Sequence, residues 1–155
     1  MTQVRTASTD DVALLATLNT IVHDLHVRHR PDLFVDSPEQ EAFFEGEIAD
    51  PSVTVLVADG ADGRALGYAI ARVVNRRGNA LIRPDLIISL DQIAVLPDAA
   101  RTGVGSALLE AVREVGRNAG CRRLVTDVWD VNEGARAFYE AAGFRPMNRL
   151  LDQQL

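Results

Sequence analysis

Three stretches of this 155-residue chain hold groups whose types and spacing could do chemistry. The run Ala100-Arg101-Thr102-Gly103-Val104-Gly105-Ser106 follows an apolar segment, Ile87 to Leu96, and reads as a turn between a strand and a helix. Glycines at 103 and 105 let the main chain approach a ligand. The amides of a first helical turn have no internal partners, and with the helix dipole they converge on an anion. A pyrophosphate is the expected guest. The bland alternative is a helix start that needs small residues for packing. A P-loop would require Gly-Lys-Ser/Thr and a Rossmann turn a third glycine, and neither is present.

In the second stretch, Asn132 to Phe144, Asn132 and Tyr139 lie seven residues apart, about two helical turns, with Ala135 between them. An amide, a methyl and a phenol on one side suit an extended ligand that carries amides and a sulfur. A core helix with Phe138 packed inward and Tyr139 as its neighbour is the competing reading. The third stretch is Ile87 to Val95, where Asp91 interrupts an apolar strand. A carboxylate there costs desolvation unless it is paired or functional, and burial would make it a stronger base. A structural carboxylate bonded to a neighbouring turn is the alternative.

His23, His26 and His29 recur every three residues. On a helix the first and last would point ~120° apart, and no cysteine or carboxylate completes a zinc-like set, so no metal is expected. His26 is left with a substrate-side or structural role. Trp129 alternates with Asp127 and could wall an acceptor pocket or fill core. Cys121 is the only cysteine, excludes an intrachain disulfide and reads as a buried structural residue.

Elements must hold these groups in place. Val4 to Ala7 reads as a strand, followed by a helix capped at Thr9 or Asp10, with Val12, Leu15, Leu18, Val22 and Leu25 on one face, and ended by Pro31. Ser37-Pro38-Glu39-Gln40 forms a capping box for a second helix reaching about Ala49, with proline at its first position. Residues 52–59 and 65–74 form a hairpin around Gly60 to Gly63, and 86–96 a buried strand. A helix from Val104, a strand from Arg122 to Asp130, a helix from Glu133 to Ala142 and a last strand from Phe144 to Leu151 complete the chain. The class is mixed α/β in one domain, residues 1–155, with both parallel and antiparallel strand pairs.

The formal charge of −6 argues against nucleic acid as a partner. It is unevenly spread: residues 1–50 hold ten carboxylates against three arginines, or −7, and residues 51–155 hold twelve against thirteen, or +1. A cationic ligand suits the first segment and an anion the second. Lysine is absent. No apolar run approaches the ~20 residues of a membrane span, and the N-terminus lacks the pattern of an export signal, so a cytoplasmic protein is expected.

The glycine turn and the Asn132 stretch together resemble the GCN5-related N-acetyltransferase (GNAT) superfamily. Its later motif, Asn-x-x-Ala-x-x-Phe-Tyr-x-x-x-Gly-Phe, is matched at Asn132, Ala135, Phe138, Tyr139, Gly143 and Phe144. Its acetyl-CoA motif, Gln/Arg-x-x-Gly-x-Gly/Ala, is matched at Gly103 and Gly105 but opens on Ala100, with Arg101 one place later. Leu25 to Phe34 resembles the His-x-x-x-x-Pro-Asp-x-Phe segment of a bacterial group within the superfamily.

The resemblance implies a single-domain fold with a mostly antiparallel sheet, splayed at the cofactor site and flanked by helices. It implies acetyl-CoA as cofactor, held by Ile93, Ala94, Val95, the 100–106 turn, Asn132, Ala135 and Tyr139. It also implies a homodimer, and acetyl transfer to a primary amine of a small molecule or peptide by direct attack in a ternary complex. Tyr139 is the expected acid, since a phenol (~10) stays protonated where a thiol (~8.5) begins to ionise. Asp91 is the expected base, and His26, Phe34, Asp91 and Trp129 line the acceptor side. A catalytically silent acyl-CoA-binding module of the same fold is the rival, and a nucleotide-binding α/β protein a more distant one.

Overall fold

The computed structural model describes residues 1–36 and 38–155. Five strands lie in sequence order across one sheet: β1 (Gln3–Thr6), β2 (Val53–Asp59), β3 (Ala65–Arg76), β4 (Asp85–Val95) and β5 (Arg123–Thr126). The first four pair antiparallel, and β4 pairs with β5 in parallel. Helices α1 (Val12–His29), α2 (Gln40–Ala49), α3 (Val104–Asn118) and α4 (Glu133–Ala141) pack around it. The expected mixed, mostly antiparallel architecture is the one observed.

Alternation along the strands builds two apolar layers, because successive side chains leave a strand on opposite faces. Leu56, Ala58, Ala69, Ile88 and Leu90 pack with Leu108, Leu109 and Val112 of α3 and Tyr139 of α4. Val55, Val57, Tyr68 and Ile70 pack with Leu15 and Leu18 of α1 and Phe44 of α2. Strand β4 changes sides partway along. Its partners on β3 run Ile70↔Gln92 and then Ala71↔Leu90, so Asp91 is an extra residue, a bulge that reverses the alternation. Ile88 and Leu90 before it, and Ile93 and Val95 after it, therefore all face α3.

Four local expectations are corrected. The first helix is preceded by a short 3-10 turn, Thr9–Asp11, which Ser8 rather than Thr9 or Asp10 caps, its main-chain amide bonded to the Asp11 carboxylate at 2.8 Å. Of the expected capping box, Ser37 lies outside the described residues, and α2 opens at Gln40, two residues beyond Pro38. Strand β5 stops at Thr126 instead of Asp130, because β4 bends away at the bulge and leaves the next residues no partner. No strand forms over 144–151: Pro146 removes one donor, and Met147, Leu150 and Leu151 stand exposed, in no strand pairing.

Candidate active site

The last parallel rung is Leu90↔Thr126, reinforced by the Thr126 hydroxyl donating to the Leu90 carbonyl at 2.9 Å. Beyond it β4 continues for five residues paired with β3 but not with β5, and the sheet opens on that side. A cavity of about 230 Å³ occupies this opening. Its walls come from both layers: Asn19, His23 and His26 of α1, Asp91 to Ile93 of β4, Asp127 and Trp129 past the end of β5, and Asn132, Ala135 and Tyr139 on the α4 side.

The glycine turn lies next to this opening in the chain, after a 3-10 turn at Pro97–Ala99. Gly103 has φ 92°, the left-handed region, with open space where a Cβ would stand, so backbone conformation alone asks for glycine. Gly105 is different: a Cβ there would lie 3.2 Å from the Phe138 ring, so this glycine lets α3 pack on α4. Backbone conformation thus accounts for Gly103 and helix packing for Gly105. Ala107 donates the first intrahelical bond, to Gly103, which leaves the amides of Val104, Gly105 and Ser106 ahead of the ladder. Arg101 is exposed beside them, with φ 62°.

Asn132 caps α4, its side-chain carbonyl accepting from the Ala135 amide at 3.1 Å. Ala135 and Tyr139 follow on the face that lines the cavity. Tyr139 is buried against Phe138 and Phe144, at ring distances of 5.4 and 5.3 Å. Burial pushes its phenol up, and the Thr126 hydroxyl partly offsets this, so the group stays protonated at neutral pH.

Asp91 lines the cavity but is not the desolvated carboxylate expected from sequence. The bulge turns it to an exposed position, where Arg72 Nε reaches one oxygen at 3.0 Å and the Ser89 hydroxyl the other at 2.6 Å. Arg72 also pairs with Glu47 at 2.7 Å and Asp50 at 3.2 Å, so three carboxylates share one guanidinium. Ile93 lines the cavity, whereas the Ala94 and Val95 side chains belong to the two apolar layers.

The acceptor-side expectations meet in one aromatic wall. His26 stacks on Phe34 at 4.8 Å and 28°, and Phe34 meets Trp129 edge-on at 5.1 Å. Trp129 and Asp127 leave the sheet instead of continuing β5. Among the described residues no three His, Cys, Asp or Glu side chains come together to hold a metal ion. Cys121 is half-buried, and burial pushes its thiol up. It lies outside the cavity.

Sequence reasoning missed a polar triad in the floor. Asn19 Nδ2 donates to the Tyr68 hydroxyl at 2.8 Å and to Gln92 Oε1 at 3.1 Å, and Tyr68 donates to the same Gln92 oxygen at 2.7 Å. Tyr68 is fully buried, which pushes its phenol up to about 12. The only sequence signal was a lone tyrosine within an apolar strand.

Residues 19–144 match the sequence model of the Acetyltransferase (GNAT) family. The chain belongs to that family. This GNAT protein is an N-acetyltransferase that uses acetyl-CoA. It is 33% identical over 116 residues to an aminoglycoside N(6')-acetyltransferase type 1 of Stenotrophomonas maltophilia, covering 75% of this chain and 74% of that one. In structure the GNAT chain matches a tetramutant of the BH1408 protein from Bacillus halodurans with a TM-score of 0.92, 25% identity and 99% of each chain covered. It shares its fold with the aminoglycoside N-acetyltransferase AAC(6')-Iy solved with CoA, at a TM-score of 0.76 and 24% identity, covering 100% of this chain and 95% of that one.

Proposed function

We propose that this acetyltransferase modifies a small polycationic amine, of the aminoglycoside or polyamine kind, by direct attack on acetyl-CoA within a ternary complex. One observation carries the reading: a single cavity through the sheet joins Tyr139 on the cofactor side to an aromatic wall and two carboxylates, Asp91 and Asp127, on the other. Carboxylates at the rim draw an ammonium and aromatic faces cover its carbon frame. The naming of the Stenotrophomonas relative for an aminoglycoside acceptor points the same way.

In this reading the diphosphate rests on the amides of residues 103–106, with Ala100, Arg101 and Thr102 shaping the approach and Arg101 adding positive charge. The pantetheine runs along the unpaired edge of Ile93 to Val95 and past Asn132 and Ala135. Main-chain amides at the open strand polarise the thioester carbonyl, and Tyr139 protonates the departing thiolate. Asp91 and Trp129 bind the acceptor together with His26 and Phe34. Tied to Arg72 and Ser89, Asp91 is held as a fixed negative charge facing the acceptor.

The chain acts as a homodimer in the cytoplasm, where acetyl-CoA is available, and binds neither nucleic acid nor membrane. The charge of −6 supports the former, and no helix among the described residues is long and apolar enough to cross a bilayer. Thiol release from acetyl-CoA, screened against aminoglycosides, polyamines, peptide N-termini and neutral amines, tests the acceptor class. Faster turnover of peptides or neutral amines than of polycations would overturn it.

A further inference from the structure

We infer that the imidazole of His26 is the base that takes the proton from the acceptor amine. This rests on the cavity being the transfer site, as proposed above. Amine attack on a thioester leaves a nitrogen that must shed a proton, and a group in the cavity with a free lone pair has to receive it.

The groups lining the cavity can be sorted by what already holds them. Asp91 has one oxygen on Arg72 and the other on Ser89. His23 donates from Nε2 to the Val35 carbonyl at 2.6 Å, which ties its ring to the segment after α1 and leaves only Nδ1 able to accept. The Gln92 carbonyl is taken by Tyr68 and Asn19, and an amide is not a useful base in any case. Asp127 is exposed, with no hydrogen bond or ring contact among the described residues to aim it at the reacting amine.

His26 is the exception. Its ring is fixed by stacking on Phe34 and lies 6.0 Å from Trp129. Among the described residues neither ring nitrogen has a hydrogen-bond partner. Nor is either sealed off, since no buried side-chain nitrogen or oxygen lacks a partner. The protein orients this imidazole with aromatic carbon and leaves its nitrogens for whatever enters the cavity. The titratable groups facing the same space are His23 on its own helix, Asp91 on β4, Asp127 beyond β5 and Tyr139 on α4. Burial, and secondarily the charge of His23, hold the His26 imidazole below its ordinary range, which keeps it neutral and able to accept at pH 7.

The step balances without a further reactant. The amine nitrogen forms a bond to the thioester carbonyl carbon, its proton passes to a ring nitrogen of His26, and the carbon–sulfur bond breaks. The thiolate takes the proton of Tyr139. Imidazolium then returns a proton to solvent and the phenolate regains one, leaving amide and CoA thiol.

The test is a pH profile of kcat/KM, from about pH 5.5 to 9, for the wild-type chain and for His26→Gln, with the amine that wild type turns over fastest. Expected in the variant are a loss of ~10² to 10⁴-fold, an acetyl-CoA KM changed only severalfold, and disappearance of the acid limb. Free imidazole should restore part of the rate to His26→Ala. A variant within about threefold of wild type, or one that keeps the acid limb, overturns the inference. Proton NMR of the wild-type His26 ring supplies a check that needs no variant to fold: its titration midpoint in the acetyl-CoA-free protein must match the acid limb, and a mismatch overturns the assignment. Wild type that turns over while His26→Gln is unaffected removes only this inference. Wild type that turns over no amine removes the proposed function as well.

Discussion

Arg72 meets the Asp91 carboxylate at 3.0 Å, at the strand position where β4 carries one residue more than β3. The bulge supplies the position and the guanidinium fixes the orientation, so a negative charge is held at the mouth of the cavity. Asp91→Asn should therefore raise the KM of a polycationic acceptor by roughly tenfold while lowering kcat much less. Steady-state kinetics with a dicationic and a monocationic amine check this. A loss confined to kcat would mean that Asp91 moves the proton after all.

Tyr139 is buried beneath Phe138 and Phe144, with its phenol held protonated. Removing only the hydroxyl, as in Tyr139→Phe, should lower kcat by ~10² to 10⁴-fold and leave CoA affinity within severalfold. Turnover with acetyl-CoA and calorimetric binding of CoA together separate the two effects. Unchanged turnover would take the phenol out of the reaction.

The two motif glycines should fail differently. Gly103→Ala places a side chain at φ 92°, which costs roughly 1–2 kcal/mol for a left-handed residue, and should weaken CoA binding by about tenfold. Gly105→Val drives its branches into the Phe138 ring and should lower Tm as well as CoA affinity. Calorimetry and thermal melts distinguish them.

Two carboxylates tie stability to acid. Arg5 holds the Asp11 carboxyl below the usual carboxylate range, and Arg123 and then Arg122 do the same for Asp85, whose side chain is 6% exposed. In the unfolded chain both titrate near ~3.9, so their contribution is fully present above that pH and is lost as pH falls through the lower folded values. Tm should hold between pH 7 and 5 and drop toward pH 3. Asp85→Asn should flatten that drop, and an unflattened one would remove this pair as its cause.

Much of the fold was legible because periodicity reports burial: α3, α4 and β2 to β4 lie within a few residues of where apolar spacing puts them. Boundaries set by a neighbour were not. β5 ends early because β4, more than thirty residues back, bends at Asp91, and Phe144 to Leu151 carries a strand-like sequence without a strand beside it. Asp91 stood out in the sequence, but the arginine that holds it is on another strand. Asn19, Tyr68 and Gln92 are each unremarked alone, and only folding brings them within 3.1 Å of one another.

Where α3 begins and where α4 carries Phe138, the two helices touch through the hydrogen atom that Gly105 has in place of a side chain. The residue after Phe138 is the phenol. In the proposed binding mode a nucleotide seated at the start of α3 would load the same joint that sets the Tyr139 hydroxyl, and a cofactor fragment lacking its diphosphate should then bind yet leave that hydroxyl out of line with the sulfur.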